Sequence, residues 1–286
     1  TRGGGGGGAD ITILYSHANA EDLGNIYPWC KFLSKTLRVN VFAYDYTGYG
    51  LASSEEPTEE DCYADIDAAY RYIRQVLGVP ARNIVLYGRS LGSGPSCYLA
   101  ARTADESGES TKEKSQDSNA GSGSDKKETE PVGGIILHAP FASVYRVVVE
   151  TGCTLPGDKF PNIDFAQFIR SPLMLIHGTE DKIVPHEHSE QLLAAVNPNH
   201  RALPLFIEGM GHNNVHPLIR PLFVDRIGQF LREKVRGKIA GNDSSGKGVG
   251  WSTDVADLVA RGCVASPIAM PHPLGHPPRM ITAADQ

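Results

Sequence analysis

No stretch of this 286-residue chain approaches the roughly 18 uninterrupted apolar residues that a membrane-spanning helix needs, so no transmembrane segment is expected. Cysteine is scarce: Cys30, Cys62, Cys97, Cys153 and Cys263 form an odd set of five without paired spacing. Such a set supplies neither a disulfide framework nor a zinc ribbon, and it suits a reduced, cytoplasmic chain. An excess of positive charge is missing too. The 27 Lys+Arg against 33 Asp+Glu leave a formal charge of −6, which argues against nucleic acid as a partner. There is no secretory signal, and the chain opens on Thr1 rather than Met, so a fragment lacking its true N-terminus is expected. H-E-x-x-H does not occur and the Gly-rich run Gly88–Gly92 lacks the full G-x-G-x-x-G pattern, so no metal and no dinucleotide cofactor are expected. What is present, 41% hydrophobic and 8% aromatic residues, is ordinary for a globular chain with a real core.

Composition divides the chain. Residues 1–9, with six consecutive glycines, read as a flexible linker. From Ala104 to Pro131 the only apolar residues are Ala104 and Ala120, and eight acids against four lysines give −4 of the total charge. That stretch cannot bury enough apolar surface to offset the entropy of ordering, and it reads as a disordered insertion. Residues 237–286, rich in Gly and Ser and then in Pro, read as a mobile or loosely docked tail, with a short helix expected near Asp254–Ala260. Between these, residues 10–236 form one domain. Apolar, β-rich runs recur at Ile11–Tyr15, Val39–Tyr44, Ile84–Tyr87, Gly134–Leu137, Leu173–Ile176 and Pro204–Ile207. Helical patterns separate them. Tyr63, Ile66, Tyr70, Ile73 and Leu77 share one face of Glu59–Leu77, and Phe223, Ile227, Phe230 and Val235 repeat the spacing. Continuous apolar strands alternating with amphipathic helices predict a mostly parallel sheet covered on both faces, an α/β architecture.

In such a sheet, ligands gather at the carboxyl ends of the strands. There the run Asn83–Tyr87 meets Gly88-Arg89-Ser90-Leu91-Gly92, a match to G-x-S-x-G followed by a helical pattern from Leu91 to Arg102. The bare pattern is weak, and a capping serine on a plain strand–helix turn would also satisfy it. Its strand–turn–helix setting is that of a nucleophile elbow, which makes Ser90 the candidate nucleophile. A serine hydroxyl is inert near neutral pH unless a base takes its proton. Of ten histidines, His17, His138 and His177 stand at strand ends, where backbone-bonded structural imidazoles are common, and His272 and His276 lie in the tail. His212 sits in a glycine-flanked loop between the last strand and the last helix, and is the candidate base. The order Ser, then acid, then His directs attention to Glu180 and Asp181 after Leu173–Ile176, with Asp181 preferred. Two N–H groups should hold an oxyanion: that of Leu91, next to the nucleophile, and that of Asn19, after the first strand. A zinc reading through His186, His188, His212, His216 and Asp181 is the weaker rival, because His186 and His188 read as a solvated helix start.

With these residues placed, the chain resembles the α/β-hydrolase superfamily and, within it, the α/β hydrolase domain-containing 17 group. The matching stretches are Ser16–Gly24 (SHANAEDLG), Tyr44–Gly50 (YDYTGYG), Tyr63–Tyr70 (YADIDAAY), Ile84–Gly92 (IVLYGRSLG), Phe160–Asp164 (FPNID), His177–Asp181 (HGTED) and Glu208–Asn213 (EGMGHN). YADIDAAY and FPNID belong to the subgroup, whereas the motifs that carry Ser90, Asp181 and His212 are shared across the superfamily. The resemblance implies Ser90, Asp181 and His212 as a catalytic triad, and hydrolysis of acyl thioesters that removes palmitate from protein cysteines near the cytosolic face of membranes. The implied partner is an acylated protein or a lipid-like acyl substrate, for a cytoplasmic enzyme peripheral at membranes. A peptidase or a lipid or carboxyl esterase could use the same residues, and the oligomeric state is left open. Three departures stand out. Ala18 replaces the family's glycine, which would cost about 1 kcal/mol if the backbone there needs positive φ. The 104–131 insertion has no counterpart, and the family's acylated, cysteine-rich N-terminus and the strands before Ile11 are missing.

Overall fold

The structure is a computed structural model and describes residues 10–52, 56–105, 130–149, 153–213, 215, 217–237 and 263–264. Residues 1–9, most of the 104–131 insertion and the expected helix at 254–260 lie outside them. Among the described residues, seven strands form one sheet: β1 (Thr12–Ser16), β2 (Asn40–Ala43), β3 (Ile84–Arg89), β4 (Gly134–His138), β5 (Leu173–Gly178), β6 (Leu205–Ile207) and β7 (Cys263–Val264). Their order is β2-β1-β3-β4-β5-β6-β7, and every pairing is parallel. Six of these strands match the apolar runs to within two residues at either end. The seventh comes from the segment read as a tail, which lays two residues against Phe206 and Ile207.

Alternation along the strands explains why the runs of the inner strands are almost wholly apolar. Ile13, Tyr15, Val85, Tyr87, Ile136, Met174 and Ile176 face one layer, packed with α1 (Leu23–Leu37) and α7 (Arg220–Phe230). Leu14, Ile84, Leu86, Ile135, Leu137, Leu173 and Leu175 face the other. That second face is covered by α2 (Glu59–Arg71), α3 (Ser93–Asp105), α5 (Asn162–Ala166) and α6 (Glu187–Ala195). A short α4 (Val144–Val148) precedes α5. A strand buried on both sides has no position for a solvated residue.

Local signals set the helix ends. Thr58 caps α2 by accepting the N–H of Asp61, with Glu59, Glu60 and Asp61 in the first turn, where acids complement the helix dipole. The helical pattern expected to Leu77 changes pitch at Tyr72–Val76, a π-helical turn. Ile66 and Ile73 are buried as expected, but Leu77 is exposed. The wider turn rotates position 77 off the apolar face.

The strand order reverses at β1, whose neighbours are β2 on one side and β3 on the other. Chain leaving β1 and chain leaving β3 therefore meet over a crevice at the carboxyl edge, where parallel α/β sheets place their ligands. Ser16 is in register with Gly88, so the two loops start side by side.

Candidate active site

Strand β3 ends at Arg89, a 3₁₀ turn spans Ser90–Gly92, and α3 follows at once. Ser90 has φ 49°, in the left-handed region where a side chain is strained. Both flanking glycines are needed. A Cβ on Gly88 would stand 2.4 Å from the Gly92 carbonyl oxygen, and one on Gly92 would stand 2.1 Å from that of Ser16. The second contact brings the β1 loop against the elbow. Behind it, Ser93 Oγ donates to the Ser90 carbonyl (2.6 Å). Buried Asn162 donates in turn to Ser93 Oγ (3.0 Å) and to the Phe141 carbonyl (2.9 Å). The ring of Phe160 fills the space beside Gly94, and its N–H donates to Glu59 (2.7 Å). Tyr63 donates to that same Glu59 oxygen (2.7 Å). The FPNID and YADIDAAY stretches thus share one duty: they brace the elbow from below.

Ser90, His212 and Asp181 meet although they are far apart in sequence. His212 Nε2 lies 3.0 Å from Ser90 Oγ, and its Nδ1 lies 2.6 Å from Asp181 Oδ2. A carboxylate facing Nδ1 fixes the proton there and leaves the Nε2 lone pair toward the serine. The other carboxylate oxygen accepts the N–H groups of Ile183 and Val184, each at 2.9 Å. His177 Nε2 lies 2.9 Å from the Val184 carbonyl and 3.2 Å from Asp181 Oδ2. Two acceptors at one nitrogen require that it carry a hydrogen, so Nδ1 accepts from Ser189 Oγ at 2.7 Å. Burial alone would raise the pKa of Asp181. Hydrogen bonds from His177, His212 and the Val184 N–H outweigh it and hold the carboxyl well below the ordinary carboxylate range.

Close packing of the two loops sets this alignment. A Cβ on Gly178 would stand 2.0 Å from the Met210 carbonyl oxygen, so the end of β5 lies directly under the histidine loop. Glu180 N–H donates to that same carbonyl (3.1 Å) while the Glu180 side chain is exposed, which separates it from Asp181. The supporting residues His177, Asn162 and Ser93 carry no periodic signal in the sequence. His177 could have been found only as the first residue of HGTED.

At the β1 loop, Tyr46 donates to the His17 carbonyl (2.9 Å) and Tyr49 donates to Asn19 Oδ1 (2.6 Å), so the YDYTGYG stretch holds this loop in place. Positive φ falls at Ala20 (58°), not at Ala18, so the alanine in place of glycine carries no such strain. The Ala18 N–H is committed to Glu21 Oε2 at 2.9 Å. No hydrogen bond to the Asn19 N–H occurs among the described residues. The N–H of Leu91 stands at a helix start, where such groups have no intrahelical acceptor.

His17, His138, His186 and His188 each have a partner of their own on at least one ring nitrogen. His17 Nδ1 bonds the Ala18 carbonyl at 2.9 Å, and His138, 3.2 Å from Tyr87 Oη, is pushed well below its ordinary pKa first by burial and then by Arg89. His188 accepts the Ala142 N–H (3.1 Å), His186 pairs with Glu187 and Glu190, and His216 lies outside the described residues. Among the described residues no three His, Cys, Asp or Glu side chains converge as metal ligands. A cavity of about 630 Å³ between α1 and α7, lined by Phe32, Pro221 and Arg232 among others, touches none of the three aligned side chains.

Residues 11–107 match the family model described as alpha/beta hydrolase fold. Over 229 residues the chain is 36% identical to human alpha/beta hydrolase domain-containing protein 17B, covering 79% of this chain and 68% of that protein. The chain belongs to the α/β hydrolase domain-containing protein 17 family. It is 35% identical over 226 residues to the mouse 17C protein, covering 78% of this chain and 60% of that one. As a member of this family it is an α/β-hydrolase-fold serine hydrolase. Two solved structures share the fold. A soluble variant of monoglyceride lipase from Saccharomyces cerevisiae has TM-score 0.58 and 14% identity, covering 81% of this chain and 89% of that one. Est1E from Butyrivibrio proteoclasticus, with ferulic acid bound, has TM-score 0.57 and 16% identity, covering 79% and 90%. No helix among the described residues is long and apolar enough to cross a membrane.

Proposed function

We propose that this chain hydrolyses long-chain acyl thioesters on protein cysteines through an acyl-enzyme, with Ser90 as nucleophile, His212 as general base and Asp181 as the acid that orients it. The observation that carries this reading is the continuous line Ser90 Oγ, His212 and Asp181, at 3.0 and 2.6 Å. Ser90 attacks the acyl carbonyl while Nε2 takes its proton. The N–H groups of Leu91 and Asn19 stabilise the tetrahedral oxyanion, which collapses with loss of the cysteine thiolate. The imidazolium returns its proton to that thiolate. Water, activated by the same nitrogen, then adds to the acyl-serine and releases the fatty acid. A thiolate leaves more readily than an alkoxide or amine, so the site needs little help for the leaving group. In this reading the substrate is an acylated protein at the cytosolic face of a membrane, approached from the cytoplasm.

Turnover of an acyl-cysteine peptide is compared with that of aminoacyl amides and glycerides, using the purified chain. Preference for the thioester supports the proposal; preference for amide or glyceride replaces it with a peptidase or a lipid esterase. A fluorophosphonate probe is expected to label the chain, and Ser90→Ala to abolish labelling and lower turnover by about 10⁶-fold. Equal labelling of the alanine variant would leave a hydrolase fold serving as a scaffold.

A further inference from the structure

We propose that Arg89, the residue before the nucleophile, is a positioning residue that locks the oxyanion loop to the histidine loop; this rests on the serine-hydrolase reading. The two loops arrive from β1 and β6, which are not neighbours in the sheet, and both must keep register with an elbow from β3. The guanidinium of Arg89 lies between them, largely buried. Through Nη1 it donates to Glu21 Oε1. Through Nη2 it donates to Asn213 Oδ1 (2.9 Å) and to the carbonyl of His212 itself (3.3 Å). Glu21 carries the connection onward. Its second oxygen accepts the Ala18 N–H (2.9 Å) and its own N–H donates to the Ala18 carbonyl (3.3 Å), closing the turn that presents Asn19.

One rigid fork therefore ties the backbone of the base to the turn of the oxyanion donor. Arginine suits this because its five donors lie in one plane and serve several acceptors at fixed angles, whereas an ammonium is a point charge that cannot span both loops. Glu21 already neutralises the guanidinium, so capture of a substrate anion is not its function. Acyl-transfer geometry tolerates little error, and a misplacement of about 1 Å can lower the rate by about 10²-fold.

The test uses the full chain and a p-nitrophenyl acyl ester. Arg89→Gln is expected to lower kcat by about 10²-fold, with KM within about twofold of wild type, and Arg89→Lys, which keeps the charge but cannot span both loops, to recover little of the loss. Glu21→Gln and Asn213→Ala do not touch each other. Their effects on kcat should nevertheless be non-multiplicative, by about fivefold or more, and become multiplicative in the Arg89→Gln background. Independent effects of Glu21 and Asn213 in the wild-type background, or a kcat for Arg89→Gln within threefold of wild type, would overturn the proposal. A downfield proton resonance from His212 Nδ1–H gives a readout free of any substrate. Arg89→Gln should broaden it, and a resonance as sharp as in wild type counts against Arg89. If wild type shows neither turnover nor probe labelling, the serine-hydrolase reading fails, and the resonance alone decides the case for Arg89.

Discussion

Replacing Asp181 with asparagine tests the site at its most constrained atom pair. The substitution keeps shape and removes charge, and the surroundings dictate how the new amide must sit. Oδ1 accepts two backbone N–H groups, from Ile183 and Val184 at 2.9 Å each, so the amide oxygen must stay there. The NH₂ group then takes the place of Oδ2, 2.6 Å from His212 Nδ1. A donor at that point selects the opposite tautomer, with the proton on Nε2 and facing Ser90. In the proposed mechanism His212 can then no longer accept the serine proton. Loss of the correct tautomer in a triad lowers turnover by about 10⁴-fold, equivalent to ~5.5 kcal/mol of transition-state stabilisation. His177 Nε2–H keeps the Val184 carbonyl at 2.9 Å, so the fold should survive. The measurement is kcat near neutral pH together with the fluorophosphonate labelling rate, on protein shown to be folded by circular dichroism. Retention of more than a tenth of wild-type kcat would refute the tautomer argument, because no rotamer of asparagine satisfies both the backbone and His212 as the carboxylate does.

Because the Asp181 carboxyl is held low in the folded state, its contribution to stability is full above the unfolded carboxylate pKa of about 4 and is lost as pH falls through the lower, folded value. The difference in Tm between wild type and Asp181→Asn should therefore be constant from neutral pH down to about 4 and shrink below it; a difference that grows on acidification contradicts the assignment. Ser90→Gly should be more stable than Ser90→Ala by about 1 kcal/mol, or roughly 2–4 °C in Tm, because glycine relaxes the strain at φ 49°. Equal melting points would show that the elbow stores no such strain. Gly92→Ala should destabilise by about 1–3 kcal/mol and depress activity, since its Cβ would meet the Ser16 carbonyl, part of a backbone that cannot step aside cheaply. Burial pushes the thiols of Cys30 and Cys62 up to about 12 and raises that of buried Cys97, while Cys153 is exposed. Of these four, Cys153 alone should react rapidly with a thiol reagent at pH 8, as followed by peptide mass spectrometry.

Six of the seven described strands were legible because burial on both faces leaves most of them an almost unbroken apolar run, as in Ile84–Tyr87. Ser90, Asp181 and His212 could be singled out as candidates because each stands within five residues of the end of such a run, at a sheet edge whose loops converge. What periodicity could not reveal were contacts made by the third dimension alone. Nothing local in FPNID shows that Asn162 reaches Ser93, or that His177 shares Asp181 with His212. The π-helical turn at Tyr72–Val76 was equally hidden, since its residues fit an ordinary helix, and so Leu77 was assigned to the wrong side. The concern over Ala18 came from a residue difference, and one dihedral angle at Ala20 answers it.

The pairing of Cys263–Val264 with β6 has a practical corollary for anyone shortening the chain. Leu205–Ile207 is wholly apolar and only three residues long, and its outward hydrogen-bonding groups are met by that late segment. Cutting after Arg236 would bare an unprotected hydrophobic margin, the kind of template on which identical molecules stack and precipitate. A trimmed version should be expected to self-associate unless a charged residue or a proline is built in to blunt that rim.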